Sequence, residues 1–445
     1  MRFAFFTLGC KVNQYETQAM EQLLLARGHD LGAFDEVCDA YIINTCTVTA
    51  TGDRKSRSMV RRARRLNPDA AVGICGCYAQ VSPGEAAALE ADVVSGTGDR
   101  LGFLEALERA AAARMAGLTP AQAVRVDPAR KRGGFEVLPA GGLAARTRAM
   151  LKVEDGCDNF CTYCIIPFAR GPVRSLPLGT AVEQAKTLAA EGYREIVVTG
   201  IEISSWGGDL PGKPVLADLL AALCAAVPGV RIRLGSLEPR TVTEAFCRRL
   251  CGFENLCPQF HLSLQSGCDT VLRRMNRRYD TARYRESADL LRRFFPGCAV
   301  TTDLIVGFPG ETEAEFEASR RFLADTGLAA VHVFPYSRRA GTRAASMPDQ
   351  ISNAEKERRA HLAGETALAC AERFRQGLIG TVQPVLFEQD EDGCSTGHAP
   401  CGVLVYLPEP GLHNEVRRVR ITGLRPGGVT AEALPDGGTP GPAPR

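Results

Sequence analysis

Three cysteines at fixed spacing constrain the fold of this chain more than any other feature. Cys157, Cys161 and Cys164 stand at positions i, i+4 and i+7, a spacing that lets three thiolates line one concave loop. A cluster of four irons usually takes four cysteine ligands, so a set of three leaves one iron free to bind another molecule. Zinc would require a fourth ligand nearby, and none follows in the sequence. The spacing therefore favours an open iron–sulfur cluster over zinc or ordinary buried cysteines.

Composition indicates a globular protein of several domains. The chain has 445 residues, of which 45% are hydrophobic and 23% are charged, and no run of about 18 apolar residues suggests a membrane span. The apolar start reads as a strand rather than a signal peptide, so we expect a cytoplasmic protein without a membrane partner. In that compartment, 17 cysteines favour metal or catalytic use over disulfides. A net charge of +2 does not by itself indicate nucleic-acid binding.

The first part of the chain alternates strand-like and helical patterns, which predicts a doubly wound α/β domain over residues 1–115. The predicted strands are 3–7, 41–44, 71–74 and 92–94. The predicted helices are 15–27, 52–66, 83–89 and 101–114. Residues 116–149 mix Ala, Gly, Pro and Arg and are interpreted as a linker with room for one β-ribbon.

A second strand–helix series predicts an incomplete, six-stranded (β/α) barrel over residues 150–380. Its predicted strands are 150–154, 195–199, 231–234, 259–263, 300–306 and 331–334. Helices are predicted at 181–191, 216–226, 311–325 and 353–377. Residues 381–436 then predict a small β-barrel with strands at 381–388, 402–407, 415–421 and 429–433. The Gly/Pro-rich residues 437–445 predict a disordered tail.

A second set of cysteines follows the predicted strands of the first domain. Cys10, Cys46 and Cys77 each come after the carboxyl end of a strand, where the loops of an open α/β sheet converge. Buried structural thiols are the more frequent explanation for such residues. Cys75 competes with Cys77, because alternate residues of a strand face opposite sides, and we prefer Cys77 because it is nearer the loop. The residues alone leave both questions open.

The residues around all six cysteines resemble the radical S-adenosylmethionine (SAM) methylthiotransferase family over about the first 380 residues. The matching segments are Leu8-Gly-Cys10-Lys-Val-Asn13, Asn44-Thr-Cys46-Thr47, Gly76-Cys77-Tyr-Ala-Gln80, Glu154-Asp-Gly-Cys157 and Cys164-Ile-Ile-Pro-Phe-Ala-Arg-Gly171. The resemblance implies that the partial barrel is a radical SAM barrel. It also implies two 4Fe–4S clusters, one on Cys157, Cys161 and Cys164 that binds SAM, and an auxiliary one on Cys10, Cys46 and Cys77.

Residues 7–17 and 43–49 resemble the subgroup that acts on N6-threonylcarbamoyladenosine beside the anticodon of tRNA. Lys11-Val12-Asn13 stands where the isopentenyladenosine subgroup typically has Gln-Met-Asn and the ribosomal-protein subgroup has Pro-Lys-Asn. The leading hypothesis is therefore methylthiolation of threonylcarbamoyladenosine at position 37 of tRNA. The alternatives are the same chemistry on isopentenyladenosine or a ribosomal-protein side chain, and a cluster-containing RNA-binding regulator.

The implied chemistry explains why two clusters are needed. Replacing the unpolarised C–H bond at carbon 2 of adenine requires a radical route, which cofactors supply. The resemblance implies that a low-potential electron donor reduces the barrel cluster, which cleaves SAM to a 5′-deoxyadenosyl radical. It further implies that a second SAM methylates sulfur on the auxiliary cluster. Both clusters should then face one cavity.

Loops after barrel strands form the functional face of such barrels. By resemblance, the candidate SAM contacts are Tyr163, Thr199, Gly200, Ser236, Glu238, Gln265, Ser266, Gly307 and Glu311. The alternative is ordinary turn chemistry, because Gly and polar residues follow strands in any barrel. Glu202 departs from the Asn or His that relatives carry after Thr-Gly and is left unassigned.

RNA contact is suggested by residues 54–65, which hold seven basic residues in twelve and no acidic one. A solvated helix face is the alternative. Arg170 and Arg174, near the cluster loop, are further candidates for substrate contact. The C-terminal β-barrel weakly resembles the RNA-binding TRAM domain. Cys394, His398 and Cys401 within it are more often incidental than a zinc site.

Overall fold

The computed structural model describes residues 1–142 and 147–434. The predicted tail at 437–445 therefore lies outside the described residues, as do residues 143–146 of the predicted linker.

A six-stranded parallel sheet forms the N-terminal region, in the order β2-β1-β3-β4-β5-β6. Its strands are β1 (Arg2–Thr7), β2 (Asp30–Gly32), β3 (Ala40–Thr45), β4 (Ala71–Gly76), β5 (Val93–Ser95) and β6 (Ala123–Arg125). Its helices are α1 (Lys11–Ala26), α2 (Ala50–Leu66), α3 (Cys77–Val81), α4 (Pro83–Ala87) and α5 (Arg100–Met115). The strand order reverses between β1 and β3, which is where ligands bind in doubly wound folds.

Helices cover both faces of this sheet, as the buried central strands require. Every residue of β3 and β4 is buried. Met20 of α1 and Phe103 of α5 pack on one face, and Val60 of α2 packs on the other. The doubly wound prediction is confirmed. The sequence pattern did not reveal β2 and β6, because three residues are too short to show a period, and β6 lies within the predicted linker.

The central region is a partial (β/α) barrel, as predicted. Its strands are β7 (Arg148–Lys152), β8 (Glu154–Asp155), β9 (Arg174–Ser175), β10 (Glu195–Thr199), β11 (Arg231–Leu234), β12 (Ser236–Leu237), β13 (Gln259–Leu262), β14 (Ala299–Val306) and β15 (Ala330–Pro335). Its helices are α6 (Ile166–Arg170), α7 (Leu178–Ala190), α8 (Leu216–Ala226), α9 (Glu244–Leu250), α10 (Asp269–Arg274), α11 (Thr281–Phe294), α12 (Glu313–Thr326) and α13 (Asn353–Gln376).

Six parallel strands make up the wall of this barrel, because β11 and β12 count as one strand that is interrupted at Gly235. The order of these strands is β7-β10-β11/β12-β13-β14-β15. Within the described ranges, β7 and β15 are the two edge strands, so the barrel is open between them. Helix α1 of the N-terminal region packs beside β7, where Met150 lies against the cluster of Tyr15, Ala19 and Leu138.

Five strands close the C-terminal barrel in the order β16-β17-β18-β20-β19. They are β16 (Val382–Glu391), β17 (Cys394–His398), β18 (Leu404–Leu407), β19 (Val416–Arg425) and β20 (Gly428–Ala433). The predicted β-barrel is confirmed, but the sequence pattern missed β17. This strand contains Gly397, where a Cβ atom would lie 2.1 Å from the Leu386 carbonyl oxygen, so close strand packing replaces the usual β-branched signal.

Arginines of β11 attach the C-terminal barrel to the central one. Arg231 donates to the carbonyls of Pro384 and His398, at 2.7 and 3.2 Å. Arg233 donates to the Pro400 carbonyl at 3.0 Å. No helix among the described residues combines the length and apolar character needed to cross a membrane.

Candidate active site between the sheet and the barrel

A glycine with positive φ precedes three of the six candidate ligands. Gly9, before Cys10, has φ +105°, and a Cβ there would lie 2.9 Å from the Cβ of Cys46. Gly76, before Cys77, has φ +99°, and a Cβ would lie 2.5 Å from the Thr45 carbonyl oxygen. Only glycine adopts this conformation at such close approach without strain. The loops that follow β1, β3 and β4 therefore converge, as predicted for this edge of the sheet.

The Cys10, Cys46 and Cys77 thiols lie close enough to interact electrostatically. Burial, reinforced by the Cys10 and Cys46 thiols and opposed by Arg170, raises the pKa of Cys77 to about 11. Cys10 is exposed, Cys46 is half-buried and Cys77 is buried. The three thiols thus form one group that opens to the exterior on the Cys10 side.

Cys75, two residues before Cys77, has its side chain in the hydrophobic core of the sheet. It is fully buried and packs with Phe103 and Leu104 of α5 on the other face of β4. Burial raises its pKa to about 12. The geometry therefore favours Cys77 over Cys75 as the third member of the set.

The second cysteine group occupies a loop that the β8–β9 ribbon closes. Glu154 and Asp155 of β8 pair with Ser175 and Arg174 of β9. Gly156 then turns the chain at φ +93°, where a Cβ would lie 1.9 Å from the Pro172 carbonyl oxygen. The ribbon and the glycine together hold the loop of Cys157, Cys161 and Cys164 at the carboxyl end of β7.

Hydrogen-bond donors surround the sulfur atoms. The Val48 amide faces the Cys46 sulfur at 3.5 Å, and the Arg277 Nη1 faces the Cys161 Sγ at 3.1 Å. The amides of Asn159 and Ile166 donate to the Cys157 and Cys164 sulfurs, and Arg170 donates to Cys77. Donors of this kind stabilise anionic iron–sulfur clusters. The residues present therefore fit a cluster on each group.

The two groups meet across the interface between sheet and barrel. Burial and the Cys161 thiol raise the pKa of Cys164 to about 12, with a further contribution from Cys77. Helix α3, which begins at Cys77, packs against α6, which begins two residues after Cys164. Arg339, after β15, contacts the Cys46 loop through Thr47 at 2.6 Å and Asp53 at 2.5 Å.

A buried charge cluster holds the same interface together. Glu16 of α1 is fully buried and accepts hydrogen bonds from Arg100 at 2.7 Å, Lys152 at 2.9 Å and Arg170 at 3.2 Å. Burial alone would raise the pKa of Glu16, but the three cations outweigh it and hold that pKa well below its usual range. Asp155 supplies the second carboxylate, at 2.8 Å from Lys152. We call these five residues the Glu16 cluster.

Arg170 connects the Glu16 cluster to the first cysteine group. It bonds to the Asn13 Oδ1 at 2.6 Å as well as to Glu16 and Cys77. Arg174 is also buried and lies 3.4 Å from Asp155. Both arginines are therefore committed to protein partners, and a direct substrate contact, which their sequence position suggests, does not fit this geometry.

Five predicted SAM contacts lie near the cysteine loop and the carboxyl ends of β7, β10 and β11/β12. Thr199 is buried at the end of β10, and a Cβ on Gly200 would lie 2.8 Å from the Glu154 Oε2. Ser236 is exposed to a cavity, while Glu238 pairs with Arg240 at 2.8 Å. Tyr163 packs beside Phe308 and Tyr336.

The other four predicted contacts bond mainly to the protein itself. Ser266 bonds to the Ser319 hydroxyl of α12 at 3.2 Å. The Gly307 amide donates to Glu311, which also accepts from Arg359 of α13 at 2.8 Å. Gln265 has φ +67°, and its backbone amide donates to a carbonyl of β14. The sequence-based assignment of these residues to SAM stays a prediction.

Two carboxyl groups beside Cys157 were not identified from the sequence. Glu154 is fully buried and its Oε2 accepts the Glu202 amide at 2.6 Å, while its Oε1 has no hydrogen-bond partner within the described residues. Burial raises the pKa of Glu154 well above its usual range, and burial also raises that of Glu202. Together with Glu238 they present three carboxyl groups to this end of the barrel. The one signal in the sequence is their position directly after strands.

Cavities flank the cysteine groups. One of about 980 Å³ is lined by Cys161 and Cys164 together with Arg338 and Arg343. A second of about 410 Å³ lies inside the central barrel and extends to Cys401 and Gly402 of the C-terminal barrel, and a third of about 490 Å³ reaches Glu388 and His413 of the C-terminal barrel. Lys11 lines both of these.

Across the described ranges, no group of three His, Cys, Asp or Glu side chains is arranged to bind a single metal ion. His398 bonds to Glu388, and Cys401 is buried in the barrel core, so Cys394, His398 and Cys401 do not form a zinc site. A cluster of four irons spaces its ligands more widely than one ion does, so this finding does not bear on the two cysteine groups.

Two segments match known families. Residues 151–323 match the Radical SAM superfamily, and residues 2–96 match the family described as Uncharacterized protein family UPF0004.

Curated relatives match most of the chain. It is 41% identical over 398 residues to threonylcarbamoyladenosine tRNA methylthiotransferase MtaB of Bacillus subtilis, which covers 87% of this chain and 86% of that protein. It is 37% identical to the protein of the same name from Aquifex aeolicus, with 82% and 87% covered. It is 33% identical to a tRNA-2-methylthio-N(6)-dimethylallyladenosine synthase of Acidothermus cellulolyticus, with 96% and 84% covered.

Among solved structures, the chain is similar to the radical S-adenosylmethionine methyltransferase TsrM from Kitasatospora setae. The TM-score is 0.55 at 16% identity, and the match covers 77% of each chain. At this identity the likeness shows the fold alone, a sheet domain joined to a radical SAM barrel.

Proposed function

Since this chain belongs to the radical SAM methylthiotransferase family, we propose that it adds a methylthio group to carbon 2 of N6-threonylcarbamoyladenosine at position 37 of tRNA. The observation that carries the proposal is the meeting of the two cysteine groups, since α3, which begins at Cys77, packs against α6, which begins two residues after Cys164. The names of the relatives at 41% and 37% identity support this choice of modified base.

Each cysteine group would hold one 4Fe–4S cluster through three thiolates and leave one iron without a protein ligand. When bound, the clusters and two molecules of SAM supply the one-electron and methyl-transfer chemistry that replacing an unreactive C–H bond needs. The protein binds and orients these groups and excludes water from them. The carboxyl groups of Glu154, Glu202 and Glu238 would accept hydrogen bonds from hydroxyl or ammonium groups of SAM.

The Glu16 cluster fixes the distance between the two cysteine groups. Arg170 lies six residues after Cys164 and bonds to Cys77, Asn13 and Glu16. Because these side chains are buried and paired, the barrel and the sheet present their cysteines to each other in one arrangement. Such preorganisation lets one nucleobase contact both reacting centres without a large movement of either domain.

Basic surfaces on two regions support binding to tRNA. Helix α2, which begins four residues after Cys46, has an exposed basic face formed by Arg54, Lys55, Arg61, Arg62 and Arg65. Strand β19 of the C-terminal barrel exposes Arg417, Arg418 and Arg420. Arginine and lysine on such faces bind phosphates without regard to base sequence. The protein would work in the cytoplasm with a low-potential electron donor.

Nucleoside analysis of tRNA tests the substrate. In a strain that lacks this gene, mass spectrometry should show loss of the 2-methylthio form of threonylcarbamoyladenosine while threonylcarbamoyladenosine itself accumulates. An unchanged level of that form, together with loss of the methylthio group on isopentenyladenosine, would reject the proposed substrate and favour the second one.

Cluster content tests the two-cluster arrangement. A Cys10/Cys46/Cys77→Ala variant prepared without oxygen should contain about half the iron of the wild-type protein and should still convert SAM to 5′-deoxyadenosine. A Cys161→Ala variant should keep the other half of the iron and form no 5′-deoxyadenosine. If wild-type protein with full iron forms none either, the chain is a cluster-binding regulator rather than an enzyme of this type.

A further inference from the structure

Lys11 lies between the sheet and the barrel, where it lines two cavities. It follows Cys10 directly and lies in the first turn of α1. It is the residue common to the linings of the 410 Å³ cavity inside the barrel and the 490 Å³ cavity that leads to the C-terminal barrel. A long cationic side chain thus stands at the junction of the two cavities, next to a proposed cluster ligand.

The positive charge of Lys11 has no counterion among the described residues. No salt bridge or hydrogen bond to its ammonium group is formed within the part of the chain that the structure describes. The two arginines of these cavities are paired, Arg148 with Glu388 at 2.6 Å and Arg233 with Glu195 at 2.6 Å, and Asp303 lies 3.3 Å from the His261 ring. The two cavities together therefore offer a cation without a counterion and room for an anionic ligand.

We propose that Lys11 binds the carboxylate of the threonyl group on the modified adenosine and so selects threonylcarbamoyladenosine as substrate, an inference that rests on the proposed function. The N6 substituent of this nucleoside ends in a carboxylate, whereas an isopentenyl substituent is uncharged. A lysine ammonium pairs with a carboxylate through a charge-assisted hydrogen bond. Lys11 is a specificity-determining residue in this scheme.

The shape and lining of the inner cavity fit this substituent. Its volume of about 410 Å³ lies within the range of small-molecule sites. Besides Lys11, it is lined by the polar residues Ser236, His261 and Thr301, which offer partners for hydroxyl and carbamoyl groups, and by Asp303, whose carboxylate faces His261 at 3.3 Å. Because Lys11 directly follows Cys10, a nucleobase placed at Cys10 would lie next to a residue that lines this cavity.

Binding measurements with a charge-neutral analogue test the inference. The cluster-loaded protein is titrated with two anticodon stem-loop RNAs, one carrying threonylcarbamoyladenosine and one carrying its methyl ester. We expect the wild-type protein to prefer the carboxylate by about 10- to 100-fold in Kd, which matches one charged hydrogen bond. Lys11→Gln should bind both RNAs alike, and Lys11→Arg should restore the preference. Lys186→Gln, on the exposed surface of α7, is the matched control and should behave as wild type.

The outcomes separate the inference from the function on which it rests. If Lys11→Gln keeps the preference, Lys11 does not bind the carboxylate and the inference is wrong. The inference is also wrong if Lys11→Gln weakens the binding of both RNAs by the same factor, or weakens the binding of SAM as much as that of the RNAs. Iron content and 5′-deoxyadenosine formation confirm that each variant is folded. If the wild-type protein methylthiolates isopentenyladenosine RNA and not threonylcarbamoyladenosine RNA, the proposed function fails and the inference fails with it.

Discussion

Removing the negative charge of Glu16 should loosen the contact between the sheet and the barrel. In the Glu16→Gln variant, Arg100, Lys152 and Arg170 lose the carboxylate that they share, and Asp155 becomes the remaining anion of the cluster. All five side chains are buried, so water cannot replace the lost charge without opening the interface. Loss of one partner from a buried ion pair costs about 3–5 kcal/mol, which corresponds to roughly a hundredfold to a few thousandfold change in the opening equilibrium.

Hydrogen exchange is the suitable measurement, because a chain with several domains need not unfold in one two-state step. Amides of α1 and β7 should exchange faster in Glu16→Gln by about the factor given above, while amides of the C-terminal barrel keep their rates. Glu105→Gln is the control, since Glu105 is exposed on α5 and its loss should cost less than about 0.5 kcal/mol. Unchanged exchange in α1, or equal acceleration along the whole chain, would refute the reasoning.

The effect of Glu16→Gln on the opening of α1 should depend on pH. The pKa of Glu16 is depressed in the folded protein relative to about 4.3 in the unfolded chain. Its stabilisation is therefore fully present above about pH 4.3 and is lost as the pH falls toward the folded-state pKa. The difference in α1 opening between wild type and Glu16→Gln should stay constant from about pH 7 to 5 and narrow only below about pH 4.

Three further substitutions test the cysteine groups. Gly156→Ala places a Cβ 1.9 Å from the Pro172 carbonyl oxygen at a positive φ, so iron in the barrel group and 5′-deoxyadenosine formation should both fall sharply. Cys75→Ala should leave the iron content unchanged, and a loss of about half the iron would identify Cys75 as a ligand. Arg277→Met removes the donor to the Cys161 sulfur, so the reduction potential of the barrel cluster should become more negative in electrochemical titration; an equal potential would exclude this role.

The architecture could be predicted from sequence because its signals are local. Parallel strands buried on both faces appear as short apolar runs, and β3 and β4 are buried throughout. The convergence of Cys10, Cys46 and Cys77 followed from the rule that ligands bind at the carboxyl ends of such strands. The strands that were missed include β2, β6 and β17, which are three to five residues long, and the two-residue strands β9 and β12, and such short strands have no period to detect.

The Glu16 cluster could not be predicted, because its members are far apart in the chain. Glu16, Arg100, Lys152 and Arg170 each look like an ordinary surface charge. Only the packing of α1 against α5 on one side and against the barrel on the other brings them together. For the same reason, the sequence suggested Arg170 as a substrate contact. Ser266 is a similar case, since its bond to Ser319 of α12 spans 53 residues of the chain.

Helix α1 connects the proposed chemistry to the folding of the interface. Along less than two turns it carries Cys10 at its N-cap, then Lys11, Asn13 and Glu16. Because a helix rises about 1.5 Å per residue, the anchor at Glu16 lies only about 9 Å from Cys10 along the helix axis. A shift of the barrel against the sheet would therefore move the cluster ligand, the substrate-reading lysine and the Arg170 contact together. Domain interfaces within a chain are often mobile, and this one instead uses buried charges that tolerate few alternative registers. We conclude that the ion pairs of Glu16 hold Cys10, Lys11 and Asn13 in position relative to the barrel.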